Sequence, residues 1–201
     1  MIKIYGSPRS SAGRCFVLLE ELGLQYEVGT IDMRAKQHKS PEFLKLNPNG
    51  KVPVLTDGDF VIWESVAINH YLCEKYRPSL LGTGPENKGL VQQWSVWSMV
   101  DLQPPLIDCL IQLLFVPEER RDLTLIERSK KKAQPYLDVL DRAIGNKTYI
   151  VGEQFSVADI NAASVANIAL ALGLPLGDKP NLMRWLTALK ARPSFAKFGE
   201  K

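Results

Sequence analysis

Histidine and cysteine are both scarce in this chain of 201 residues. There are two histidines, His38 and His70, and three cysteines, Cys15, Cys73 and Cys109. They form no Cys-x-x-Cys pair and no Cys/His cluster, which excludes the usual structural zinc sites and a disulfide framework. No metal is expected, and a reducing cytoplasm is the expected compartment. A strong excess of one charge is also missing: the net charge is +3 and the pI about 8.7. Lys130-Lys131-Lys132 is the one basic run that stands out. It is expected on a solvated helix face, so no nucleic-acid partner is expected. No apolar run reaches membrane-spanning length, and the opening Met1–Pro8 lacks the long apolar core of a signal peptide, so no membrane association is expected.

What remains is an ordinary globular composition, 45% hydrophobic and 23% charged, long enough for one large domain or two small ones. Two textures divide it. Residues 1–76 alternate strand and helix signals. Ile2, Ile4 and Tyr5 read as a short strand, and Cys15, Phe16, Leu18, Leu19 and Leu22 recur at helical spacing before Gly23. Tyr26 to Ile31 suggests a second strand. Asp57-Gly58 lies between Val52–Leu55 and Phe60–Ile62 and predicts a hairpin, and a helix follows from Glu64 to about Tyr76. The order β-α-β, loop and short helix, β-β-α predicts a mixed sheet with packed helices, an α/β domain. Residues 77–87, with two prolines and two glycines, read as a linker. Residues 88–201 read as an all-α domain. Leu90, Val91, Trp94, Trp97 and Val100 form one expected apolar stripe. Pro104-Pro105 bends or interrupts it, and Pro135 kinks or breaks a later helix. Ser156 and Asp159 form a capping box with Phe155 as staple to Ile160. The last helix runs from about Leu182 to Ala191.

The most informative stretch is Pro48-Asn49-Gly50-Lys51-Val52-Pro53-Val54-Leu55, followed by Glu64-Ser65. Pro53 argues for a strand entrance, an edge or a special turn. Backbone groups left free there can take an extended peptide by strand addition. Glu64-Ser65 adds a carboxylate, a hydroxyl and helix-start N–H groups. One end of such a site suits a cation and the other an anion, as a short zwitterionic peptide requires.

Taken together, these segments resemble the soluble glutathione S-transferases over essentially the whole chain. Gly6-Ser7-Pro8-Arg9-Ser10-Ser11-Ala12-Gly13-Arg14 is similar to the serine-type first loop of phi- and theta-like members. His38 to Pro48 is close to the phi-like pattern. Lys51-Val52-Pro53 and Glu64-Ser65 match the family's glutathione-binding pieces, and the segment from Phe155 and Trp185…Arg192-Pro193-Ser194 resemble its helical-domain signatures. The resemblance implies a thioredoxin-like first domain, an all-helical second domain, a homodimer and a cis Val52-Pro53 bond. It also implies glutathione as co-substrate and a detoxifying transferase acting on a small hydrophobic electrophile. A glutathione-dependent peroxidase or isomerase on the same site, or a non-catalytic binding module, are the alternatives.

The resemblance further assigns roles. Ser10 is the first choice for the hydroxyl that stabilises the glutathione thiolate, and Ser11 could substitute. Tyr5 matches tyrosine-type classes less well because the loop after it is longer than theirs. Against this, either serine could simply cap the helix. Glu64 would pair with the γ-glutamyl ammonium and Ser65 with its carboxylate. Val52, beside Pro53, would exchange backbone bonds with the cysteinyl part. Lys39, with His38 and Lys51, would approach the glycyl carboxylate, although His38 reads equally as an exposed loop histidine. Arg9, Trp97, Asp101, Gln103 and Pro104 are candidates for a second-substrate pocket in an interdomain cleft, while Trp97 and Met99 read more readily as core. Cys15 lies on the apolar stripe and reads as a buried structural thiol.

Overall fold

A computed structural model describes residues 1–198. It resolves into two compact units, Met1–Leu80 with the segment from Pro193, and Leu81–Arg192.

The first unit contains β1 (Ile2–Tyr5), α1 (Gly13–Glu21), β2 (Tyr26–Gly29), α2 (Pro41–Leu46), β3 (Val54–Asp57), β4 (Phe60–Trp63) and α3 (Ser65–Tyr76). The sheet order is β2-β1-β3-β4. β1 and β2 run parallel, with α1 as the crossover that parallel pairing demands. β1–β3 and β3–β4 are antiparallel. The hairpin forms where Asp57-Gly58 predicts it: Asp57 pairs with Phe60, and Gly58 has φ +60° at the first of two turn positions. β3 starts at Val54, two residues later than the apolar run suggests, because the Val52-Pro53 peptide bond is cis and turns the chain there. Ile4, Phe16, Leu19, Leu55, Ile68 and Leu72 are fully or almost fully buried and form the core of this unit. Asp57 ties the hairpin to α3, accepting from the Tyr71 hydroxyl at 2.9 Å, the Tyr76 hydroxyl at 3.2 Å and the Lys75 ammonium. The edge strand β4 leaves Phe60, Val61 and Trp63 exposed.

The second unit is built from α4 (Gly84–Trp97), α5 (Gln103–Leu114), α6 (Leu123–Ile144), α7 (Val157–Ala171) and α8 (Pro180–Lys190), while α9 (Pro193–Ala196) clusters with the first unit. α7 is buried along most of its length and rich in alanine, as befits a central helix. The linker and the inward stripe differ from the residue pattern, and the prolines act as follows. The expected linker is partly helical: Pro78–Leu81 forms a 3₁₀ turn and α4 already begins at Gly84, because Pro85 and Glu86 act as a helix start rather than as breakers. Leu90 and Val100 do not join the inward stripe; both are exposed, Val100 at 65%. Pro104-Pro105 stands in the first turn of α5, and the missing N–H groups are absorbed by a π-helical turn over Ser98–Leu102. α6 continues through Pro135, whose ring faces solvent.

Asp159 joins three parts of this unit. Its carboxylate accepts from the Ser156 amide at 2.9 Å and hydroxyl at 3.0 Å, the Ile150 amide at 2.9 Å and the Trp185 indole N–H at 3.0 Å. The capping box is therefore present, whereas the Phe155 ring meets Tyr149, at 5.5 Å between centroids, and Arg192. Burial pushes the Asp159 carboxyl up, and these four donors oppose that shift. Removing the acceptor strands several buried donors at roughly 1–3 kcal/mol each. Asp159→Ala is expected to lower the unfolding free energy by about 3–5 kcal/mol in denaturant titrations, and Asp159→Asn by less.

Candidate functional site

The candidate site is assembled within the first unit from three segments distant in sequence: the loop from Gly6 to Ala12, the cis Val52-Pro53 turn, and the start of α3.

The two serines of the first loop have different surroundings. The Ser10 hydroxyl is spent locally. It donates to the Ser7 carbonyl at 2.7 Å and accepts from the Ser7 amide at 3.4 Å and the Ala12 amide at 3.2 Å. It stabilises the turn that precedes α1, as serines at such positions do. The Ser11 hydroxyl instead donates to the Val52 carbonyl at 3.1 Å, across 41 positions of sequence, and Ser11 is exposed. Gly6 holds this approach closed: a Cβ there would come within 2.7 Å of the Ala12 Cβ and 3.5 Å of the Val52 Cβ. Tyr5 is turned to packing, edge-on to Phe43 with ring centroids 6.0 Å apart. Arg9 is exposed, and its amide donates to the Ser7 hydroxyl at 3.2 Å.

Glu64 precedes α3 with φ +71° and ψ +116°, a backbone state rarely adopted by residues other than glycine. Its side chain is exposed and makes no capping bond. Held conformations of this kind cost about 1–3 kcal/mol and cluster at ligand clamps. Ser65 is buried. α3 is fastened to α1 beneath the site, where the Cys15 thiol donates to the Ser65 carbonyl at 3.5 Å and the Asn69 amide donates to the Arg14 carbonyl at 3.3 Å. Burial pushes the Cys15 thiol up to about 12, with Arg14 opposing. Fully buried, with its thiolate disfavoured, Cys15 is placed as a packing thiol.

The segment from His38 to Lys51 belongs to the same unit. The Lys39 ammonium donates to the Asn49 carbonyl at 3.0 Å, and the Asn47 amide donates to the Lys51 carbonyl at 2.8 Å. Gly50, at φ +57°, lets the two strands of this loop close: a Cβ would stand 2.7 Å from both the His38 carbonyl and the Lys39 Nζ. Lys39 and Lys51 are exposed and His38 is half-buried. Three positive or titratable side chains thus share one loop.

Trp97, Asp101, Gln103 and Pro104 belong to the second unit, around the π-helical turn and the start of α5. Trp97 packs edge-on to Trp94 at 5.1 Å and to Tyr136 at 6.2 Å between centroids. Asp101 and Gln103 are half-buried and Pro104 is exposed. The residue pattern missed a more apolar surface further along α5: Ile111, Leu114 and Phe115 are 45%, 67% and 75% exposed. Their i, i+3, i+4 spacing marks one helical face, distinct from the buried Pro105, Leu106 and Cys109.

Comparison with known proteins identifies the family of both units. Residues 1–74 match the family described as "Glutathione S-transferase, N-terminal domain" and residues 104–193 the one described as "Glutathione S-transferase, C-terminal domain". The chain is 35% identical to "Probable glutathione S-transferase GSTF2" of Oryza sativa subsp. japonica, covering 98% of this chain and 94% of that protein. It is 32% identical to "Glutathione S-transferase F9" of Arabidopsis thaliana, covering 97% and 94%. Among solved structures, the theta-class glutathione S-transferase of Xanthomonas axonopodis pv. citri, with glutathione bound, superposes with a TM-score of 0.93 at 28% identity, covering 100% and 97%.

The strained Glu64 backbone yields a direct expectation. Glu64→Gly relieves the positive φ, offset in part by added chain entropy in the unfolded state, for a net gain of about 0.5–2 kcal/mol. Glu64→Ala keeps the strain and is expected to leave stability near that of the wild type. Thermal unfolding of the pair separates them.

Proposed function

The chain belongs to the glutathione S-transferase family, and we propose that it activates the thiol of glutathione for attack on a small hydrophobic electrophile, with the Ser11 hydroxyl as donor to the sulfur. One observation carries the choice of Ser11. Its hydroxyl reaches the Val52 carbonyl, the group that an extended peptide adding to this turn would engage through its own cysteinyl amide. That amide would take over the carbonyl, and rotation about χ1 would aim the Ser11 O–H at the adjacent sulfur. Ser10 could turn to sulfur only by giving up the bond to the Ser7 carbonyl.

The energetics suit a single donor. A thiol of pKa about 8.5 is only about 3% ionised at pH 7. Lowering that pKa by two units takes about 2.7 kcal/mol, and one hydrogen bond to a charged group supplies roughly 1.5–3 kcal/mol. The N-terminal end of α1 adds a favourable field. The thiolate fraction rises about 25-fold, but the less basic sulfur attacks about eightfold more slowly at a Brønsted coefficient of about 0.45. Roughly threefold remains, so most of the acceleration comes from holding sulfur and electrophile together. The thiolate pair forms the new C–S bond, and the electrophile either expels its leaving group or takes a proton after addition to an activated double bond.

The remaining roles follow the charges. Glu64 receives the γ-glutamyl ammonium, and the α3 start with Ser65 its carboxylate. Lys39, Lys51 and His38 face the glycyl carboxylate. Within the second unit, an apolar second substrate suits the exposed face of Ile111, Leu114 and Phe115 on α5, and Trp97, Asp101, Gln103 and Pro104 around the start of α5 are alternative contacts. The exposed Phe60, Val61 and Trp63 on an edge strand support a homodimer that covers them. The three cysteines are free and buried, which supports a reducing, cytoplasmic setting for a detoxifying role.

Ser11→Ala is expected to raise the pKa of bound glutathione by about one to two units and to move the acid limb of kcat/KM up by the same amount. Ser10→Ala should destabilise the loop while leaving that limb in place. The reverse pattern in pH-rate profiles would give the role to Ser10.

A further inference from the structure

α1 ends in Glu20 and Glu21, and its last turn holds no basic residue. Negative charge at a helix C-terminus opposes the macrodipole, so this helix is unfavourable by itself. The chain answers with a segment more than 170 positions away. The Lys197 ammonium donates to Glu20 Oε1 at 2.6 Å and the Ser194 hydroxyl to Glu21 Oε2 at 2.7 Å, 177 and 173 residues apart in sequence. The Tyr26 hydroxyl also donates to Glu20, at 2.6 Å, and the Arg77 guanidinium lies 3.9 Å from Glu21. Partial burial raises the Glu20 carboxyl, yet the donors from Lys197 and Tyr26 hold it below its ordinary value. The Phe198 ring packs at a tilt of 51° against Phe16, 5.8 Å between centroids, and Phe195 and Ser194 are buried.

We propose that Pro193–Phe198 is a strap that positions α1 for thiol activation, with Lys197 as a positioning residue for the Ser11 hydroxyl. The inference rests on the Ser11 reading. α1 is a nine-residue rod, about 13 Å long, and the strap grips the end opposite the first loop. At the loop end, the Gly13 amide bonds to the Ser10 carbonyl at 2.9 Å, and the Phe16 amide to the Ala12 carbonyl at 3.1 Å. Displacement of the rod therefore moves Ser10 and Ala12, the chain neighbours of Ser11, and the 3.1 Å approach of Ser11 to Val52 is the quantity it changes. Lys197 is more than half exposed, so its pair is a fine adjustment and not a folding determinant.

The test compares wild type, Lys197→Met, Lys197→Arg and the charge-swapped Glu20→Lys/Lys197→Glu. Each is titrated with glutathione bound, by ultraviolet absorbance of the thiolate, alongside kcat and KM. Lys197→Met is expected to lower the thiolate fraction at pH 7 about two- to fivefold, and to lower kcat by more than it raises the glutathione KM. Lys197→Arg and the swap should restore both. A Lys197→Met protein with reduced melting temperature but the wild-type thiol titration overturns the proposal and makes the strap a structural clasp. A wild type whose bound thiol titrates like free glutathione overturns the activation reading itself, and this proposal with it.

Discussion

The close approach of the first loop to the cis Val52-Pro53 turn is the constraint on which the candidate site depends. Gly6 permits it, because a side chain there would collide with the Ala12 Cβ at 2.7 Å and its φ of +140° disfavours other residues. Ser11 closes it with one hydrogen bond. Ser10 serves the approach indirectly by fixing the turn that delivers Ser11. A carbonyl on β3's entrance, a hydroxyl at the head of α1 and a strained acid at the head of α3 are thereby held in one small unit. Each alone would be an ordinary helix start or turn. Their joint placement within one unit brings a turn carbonyl, a hydroxyl and an exposed acid into the same small domain.

The scaffold beneath shows why this placement is firm. α1 and α3 are joined by two buried hydrogen bonds, from Cys15 and Asn69, and the hairpin is fastened to α3 through Asp57. The polar contacts thus fall where elements meet, and the apolar residues between them supply the burial that drives folding. The second unit follows the same plan around Asp159, whose carboxylate joins the loop at Ile150, the α7 start and α8. Its exposed apolar face on α5 is a different kind of surface, unpaired with polar partners and suited to a substrate defined by hydrophobicity.

Much of this was legible in the residues, and the illegible parts have physical causes. Strand and helix order in the first unit followed from periodicity and from Asp57-Gly58, because those signals are local. The capping box of Ser156 and Asp159 is local too. The different hydrogen-bond partners of Ser10 and Ser11 could not be read, since both are serines before a helix and the difference lies in a contact spanning 41 positions. Leu90 and Val100 lie off the inward line because it is drawn by Val91, Ser95, Ser98 and Leu102, two of them serines that a hydrophobic stripe does not mark. The early start of α4 was hidden because Gly84-Pro85 is both a breaker pair and a good helix entrance. The return of the chain from Pro193 to α1 left one trace, the two glutamates at a helix C-terminus, where local chemistry alone gives no reason for them.

The position of the sulfur decides between the two serines. In a crystal structure with glutathione bound, the sulfur is expected within hydrogen-bond reach of the Ser11 Oγ, with the cysteinyl backbone paired to Val52. A tripeptide whose sulfur points to Ser10 or to another residue, or which leaves Val52 unpaired, would contradict it.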